Sequence, residues 1–129
     1  MTIAVGSIIF AALMVMFSKV PLAIAQGRSE GGYDNNHPRE QQKNLSSFGM
    51  RALAAHQNAI EAFPLFAVGV LLALWAQAPI ETVNMLCLAF VISRVVYTVC
   101  YLLDIATLRS LVWTVGFASS IWLMVLALP

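Results

Sequence analysis

Four stretches of this chain are each long and apolar enough to cross a lipid bilayer, and that fact limits the fold more than any motif does. A bilayer core takes about 20 apolar residues per helix. Residues 3–25, 59–78, 83–103 and 108–128 meet that need. In lipid, backbone N–H and C=O groups must be satisfied within the segment, so each stretch is predicted to be an α-helix. A soluble fold fails on composition. Only 10% of the 129 residues are charged and 60% are hydrophobic, whereas soluble domains carry about 25% charge. A chain this small lacks the interior to hide so much apolar surface from water. A net charge of +1 argues against a basic surface for nucleic acid.

The expected architecture is therefore all-α: one integral membrane domain spanning residues 1–129, a left-handed, antiparallel, up-down four-helix bundle. The helices are expected at about 3–25, 47–77, 82–103 and 108–128. Residues 26–46 form the only long polar segment, and its Gly, Asn and Pro make it a loop. The other connections, Gln77 to Glu81 and Asp104 to Thr107, are tight, which makes neighbouring helices antiparallel. Ala23-Ile24-Ala25 mimics a signal-peptidase site, but no Lys or Arg precedes the first apolar run, so a retained helix is expected. Lys19, Arg28, Arg39, Lys43 and Arg51 cluster at the first connection and Arg109 lies at the third, while the second has neither Lys nor Arg. The positive-inside rule then puts the first and third connections in the cytoplasm, with both termini outside it, as in a bacterial inner-membrane protein. Cys87 and Cys100, some 20 Å apart along one helix, read as free thiols. Two cysteines are too few for a zinc cage, and no metal is expected.

Polar residues inside the apolar stretches carry the functional signal, because a charge at membrane depth costs at least about 2.5 kcal/mol. On the second helix, Arg51 and Asn58 share a face, and Glu61 lies about 60° from Asn58. His56 points elsewhere and reads as an interfacial or helix-packing residue. Pro64 removes the hydrogen bond to the Ile60 carbonyl and is expected to kink the helix there. On the third helix, Arg94, Tyr97, Tyr101 and Asp104 form one stripe at spacings of three, four and three. Arg94 needs a partner, and Glu61 is the acid best placed to supply one. Such a pair either registers the bundle or belongs to a ligand site, and the residues alone fit both. Arg109 falls in the first turn of the fourth helix, behind Thr107 as N-cap. It either follows the positive-inside rule or binds an anion with the helix end.

These residues carry a family resemblance. "RALAAHQNAIEAFPLF", Arg51 to Phe66, is similar to the second-helix signature of the MAPEG family, the membrane-associated proteins of eicosanoid and glutathione metabolism. The shared pattern is Arg51, then Asn58-x-x-Glu61, then Pro64. "SRVVYTVCYLLDIATLRS", Ser93 to Ser110, resembles that family's third and fourth helices through Arg94, Tyr97 and Tyr101. "YDNNHPRE", Tyr33 to Glu40, resembles the first loop of bacterial members. The resemblance implies a homotrimer with glutathione, as co-substrate, between neighbouring subunits. It implies that Arg51, Asn58, Glu61, Arg94, Tyr97 and Tyr101 hold the tripeptide and that Arg109 activates its thiol. The thiolate then attacks a lipophilic small molecule arriving from the membrane lipids. The chain departs from the glutathione-using relatives at Ala54, where they carry a further Arg, and at Ala62, where some have Tyr.

Three functions remain open at this level. The first is a glutathione-dependent transferase or peroxidase acting on lipophilic electrophiles. The second is a ligand-binding trimer without chemistry, which the missing cation at position 54 favours. The third is a small proton-coupled exporter using Glu61, and an Arg94 that pins this carboxylate would argue against it.

Overall fold

The computed structural model describes residues 1–129. Its four long helices are α1 (Thr2–Gly27), α3 (Ser47–Trp75), α4 (Ile80–Leu102) and α5 (Ala106–Val125), all long and apolar enough to span a membrane. A short helix, α2 (Pro38–Gln41), and a 3-10 turn (Gln42–Asn44) fold the segment expected to be only a loop. The chain is all-helical, and the four long helices form an antiparallel bundle. α3 is central, packing on α1, α4 and α5, while α1 and α5 lie at opposite sides.

Local chemistry explains the ends. α3 starts at Ser46, whose hydroxyl accepts from the Gly49 N–H at 3.2 Å and satisfies one orphan donor. It then runs unbroken through Pro64, because lipid leaves the helix no competing partner. α3 and α4 end in the same way. Gln77 (φ +56°) and Asp104 (φ +62°) take the left-handed conformation. The Ala78 N–H bonds to the Ala73 carbonyl and the Ile105 N–H to the Cys100 carbonyl, closing two Schellman motifs. These closures make the turns after α3 and α4 as tight as the sequence suggests. α5 begins two residues sooner than expected, at Ala106. Its N-cap is Ile105, without a side-chain bond, so Thr107 lies inside the first turn and does not cap it.

The long polar segment is tied down by two glutamines. Gln26 is fully buried at the end of α1 and donates to the Pro38 carbonyl at 2.9 Å and to Gln41 Oε1 at 3.2 Å. Gln41 returns bonds to the carbonyls of Gln26 and Gly32, at 3.2 and 2.7 Å.

Only 25 of 129 residues are buried, so most of the apolar surface faces outward, as it must in a lipid solvent. The interior holds the stacked rings of Phe66 and Phe90, with centroids 3.7 Å apart, amid small residues such as Ala4, Ala11 and Ala73. Lipid supplies no hydrophobic drive between helices, so close backbone approach must do that work. Gly69 is the tightest such place between α3 and α5. A Cβ there would lie 2.8 Å from the Ser120 carbonyl oxygen and 3.1 Å from Leu123 Cβ. Gly69→Ala therefore pushes two backbones apart and is expected to destabilise the bundle by about 1–3 kcal/mol. Gly6→Ala, on open surface, is the control. Thermal melting in detergent checks this: Gly69→Ala lowers the midpoint and Gly6→Ala does not.

Candidate functional site

Arg94 sits at the centre of the polar cluster. It projects from α4 toward the meeting line of α3 and α5 and is only 7% exposed. Its Nη1 donates to Asn58 Oδ1 at 2.8 Å. The other contacts are long: Nε to Ser93 Oγ at 3.4 Å and Nη2 to the Val112 carbonyl at 3.5 Å. Room for the guanidinium comes from Gly116 on α5. A Cβ there would stand 2.5 Å from Ser93 Oγ and 2.7 Å from Arg94 Nη2.

The expected Glu61–Arg94 ion pair is not formed, for no carboxylate lies within 4.0 Å of the guanidinium. Asn58 holds the position expected of Glu61. The two residues are less than one turn apart, but the roughly 60° between them sends Asn58 to Arg94 and Glu61 outward. Glu61 is exposed and lies on the rim of the same cavity.

Beyond Arg94, two tyrosine rings lie between two cations. The Arg94 guanidinium carbon is 4.8 Å from the Tyr97 ring centroid. Tyr97 meets Tyr101 edge to face, at 5.5 Å and 74°. The Arg109 guanidinium carbon lies 4.4 Å from the Tyr101 ring. Each cation faces the electron-rich side of a ring. Arg109 reaches this place because the turn through Asp104 starts α5 beside the end of α4. Arg51 bonds Ser47 Oγ at 3.0 Å and stands 3.9 Å from Asp104, at this same end of the bundle. Its buried Nε has no partner.

Two environments result. A cavity of about 180 Å³ lies between α3, α4 and α5, lined by Asn58, Glu61 and Arg94 together with Leu65, Trp113, Gly116 and Phe117. Tyr97, Tyr101, Arg109 and Arg51 do not line it. The sequence reading missed the α5 contribution, whose only signal is the spacing of Arg109, Trp113, Gly116 and Ser120 along one face. His56 lies 2.9 Å from Ser18 Oγ and joins α3 to α1, the packing role expected of it.

The pairing has a measurable consequence. In double-mutant cycles, Arg94→Met with Asn58→Leu is expected to show a coupling of about 1.5–3 kcal/mol, the worth of a hydrogen bond to a charged group. Arg94→Met with Glu61→Gln is expected to show less than about 0.5 kcal/mol. A larger coupling to Glu61 would mean that the carboxylate holds the guanidinium.

Neither the curated proteins nor the solved structures contain a match to this chain. The family comparison is decisive by contrast. The model of the MAPEG family matches residues 3–129, nearly the whole chain. Together with four apolar helices of membrane-spanning length, that match establishes a multi-pass integral membrane protein, and the chain belongs to the MAPEG family.

Proposed function

We propose that this protein is a glutathione-dependent transferase or peroxidase acting on lipophilic electrophiles, and that it works as a homotrimer. The observation that carries the reading is the run of cations and rings from Arg94 through Tyr97 and Tyr101 to Arg109. It gives a polar, zwitterionic peptide a path of donors at one end of an otherwise apolar bundle. Arg51, with its unpartnered Nε, suits a carboxylate of the tripeptide. Glu61 is unpaired and suits its ammonium group. Tyr97 and Tyr101 supply hydroxyls. Glu61 also supports the oligomer: an exposed carboxylate in a membrane-spanning helix needs cover, and a neighbouring copy supplies it. Positive-inside placement opens this end of the bundle to the cytoplasm of a bacterial cell, with both termini outside.

Arg109 would act on the thiol. A nearby guanidinium favours thiolate over thiol, and the proton leaves to water at the cytoplasmic mouth. The sulfur electron pair then forms a bond to the electrophilic carbon, and the leaving group departs with the pair of the broken bond.

A second reading draws on one finding. Glu61 is not pinned by Arg94, so an unpaired membrane carboxylate is available to titrate, as a proton-coupled exporter requires. Proteoliposomes under a pH gradient test it: uptake of a lipophilic cation that Glu61→Gln abolishes would favour transport over conjugation.

For the first reading, calorimetry with millimolar glutathione is expected to show saturable heat. The protein is expected to conjugate 1-chloro-2,4-dinitrobenzene. Arg109→Ala should lower the rate by about tenfold to a hundredfold, and thermal melting should hardly change. Absence of saturable heat would remove glutathione from the account.

A further inference from the structure

A second cavity lies on the α1 side of α3, and it shares no residue with the polar cluster around Arg94. Its volume is about 410 Å³, within the range of about 300–1,000 Å³ that small-molecule sites occupy. α1 and α3 wall it with Leu22, Leu53 and Ile60, and the folded polar segment roofs it with Tyr33, Arg39 and Gln42. Lys19 of α1 also lines it. Neither Lys19 nor Arg39 takes part in an ion pair, and no Asp or Glu lines the cavity. The acids next to the roof in sequence are engaged elsewhere. Glu40 holds Lys43 at 2.6 Å, and Asp34 Oδ1 accepts from the backbone N–H groups of Asn36 and His37, each at 2.9 Å. Tyr33, Gln42 and Gln57 add neutral donors.

Depth makes Lys19 the informative residue. It precedes Gly27, the end of α1, by eight residues, or about 12 Å along the axis. Met16 and Phe17 on its inner side are exposed and apolar, and so is Ile24 on its outer side. Lys19 is itself exposed. It is a charge set within the band of side chains that faces lipid, where a lysine needs a counter-ion or must snorkel toward the headgroups. The cavity gives it a place to reach, beneath Arg39. Gln26 fixes that roof on both sides of Arg39, donating to the Pro38 carbonyl at 2.9 Å and to Gln41 Oε1 at 3.2 Å. Two unpaired positive charges thus converge from separate elements on one space with apolar walls. An occupant that matches it brings negative charge, polar oxygens and an apolar part.

We propose that this cavity binds the headgroup of an anionic phospholipid from the surrounding leaflet, with the phosphate between Lys19 and Arg39 and the acyl part along Ile60. A phosphodiester offers acceptor oxygens to both cations. A glycerol headgroup adds hydroxyls for Gln42 and Gln57 and leaves the negative charge uncancelled. A choline or ethanolamine headgroup would instead set a third cation against Lys19 and Arg39. Basic residues at a membrane surface favour anionic lipid by about fivefold each. This site and the run of tyrosines have no residue in common, so it stands whether or not the protein uses glutathione.

The test titrates the whole chain, in a non-ionic detergent, with dioctanoylphosphatidylglycerol and reads binding by calorimetry. Saturable heat is expected. Dioctanoylphosphatidylcholine and inorganic phosphate should each bind about tenfold more weakly or worse, the first for its cation and the second for want of an apolar part. Lys19→Gln and Arg39→Gln should each weaken binding of the anionic lipid about fivefold, and together about twenty-five-fold. Arg28→Gln should leave it unchanged, because that cation stands at the same end of the bundle without lining the cavity. Should Lys19→Gln not fold, Arg39→Gln carries the test, since Arg39 is exposed and lies outside the long helices. Absence of saturable heat overturns the proposal. So does an equal loss in Arg28→Gln, which would mean diffuse attraction to a basic surface. Displacement of the lipid by millimolar glutathione overturns it too, for the cavity would then serve the peptide. Equal binding of phosphatidylcholine or of free phosphate removes the anionic lipid as the occupant.

Discussion

A buried guanidinium held by an amide organises the polar interior of this bundle. In lipid, an apolar helix gains nothing by exchanging lipid contacts for protein contacts unless packing is close or polar groups pair. Arg94 answers to both conditions. Its bond to Asn58 ties α4 to α3, and its fit over Gly116 ties α4 to α5. Remove the amide, and a charge is stranded at membrane depth. Add a methyl group at position 116, and the same charge has nowhere to lie. Three of the four long helices are thus registered by one side chain, and the tyrosine ladder and the cavity are both placed by that registration.

Much of the fold was legible because hydropathy is a property of segments. Runs of about 20 apolar residues specify membrane helices almost irrespective of detail, and the tight turns at Gln77 and Asp104 followed from what lay between the runs. Detail within turns was less legible. Thr107 has the chemistry of an N-cap, yet the Schellman closure at Asp104 starts α5 at once and carries Thr107 past the capping position. The helical turn at Pro38–Gln41 was hidden for a related reason. Gln26 and Gln41 fall within the polar segment read as a loop, and only the folded chain brings them into reciprocal hydrogen bonds.

The site was legible by halves. A helical wheel tells which residues share a face of one helix, and it placed Asn58 with Arg51 and the tyrosines with Arg94. It carries no information on which neighbour that face will meet. Glu61 and Asn58 are both polar and adjacent, and charge alone favoured the carboxylate as the partner of Arg94. Geometry favoured the amide. The consequence reaches function, because the argument against a titrating Glu61 depended on an ion pair that does not form. Trp113, Gly116 and Phe117 were invisible for the opposite reason: in an apolar helix their composition is what lipid contact alone would select.

Asp104 links the ends of these arguments. Its left-handed backbone would suit glycine, but an aspartate tolerates that conformation better than most residues. Glycine would close α4 equally well and leave Arg51 without an acid at 3.9 Å. Aspartate ends the helix directly after the tyrosine stripe and sets a carboxylate beside Arg51 at the mouth. It also fixes the start of α5 so that Arg109 comes to rest over Tyr101. A single residue therefore sets helix length, local charge and the place of Arg109. Arg109 owes its position to a turn one helix earlier, not to any contact with the buried Arg94.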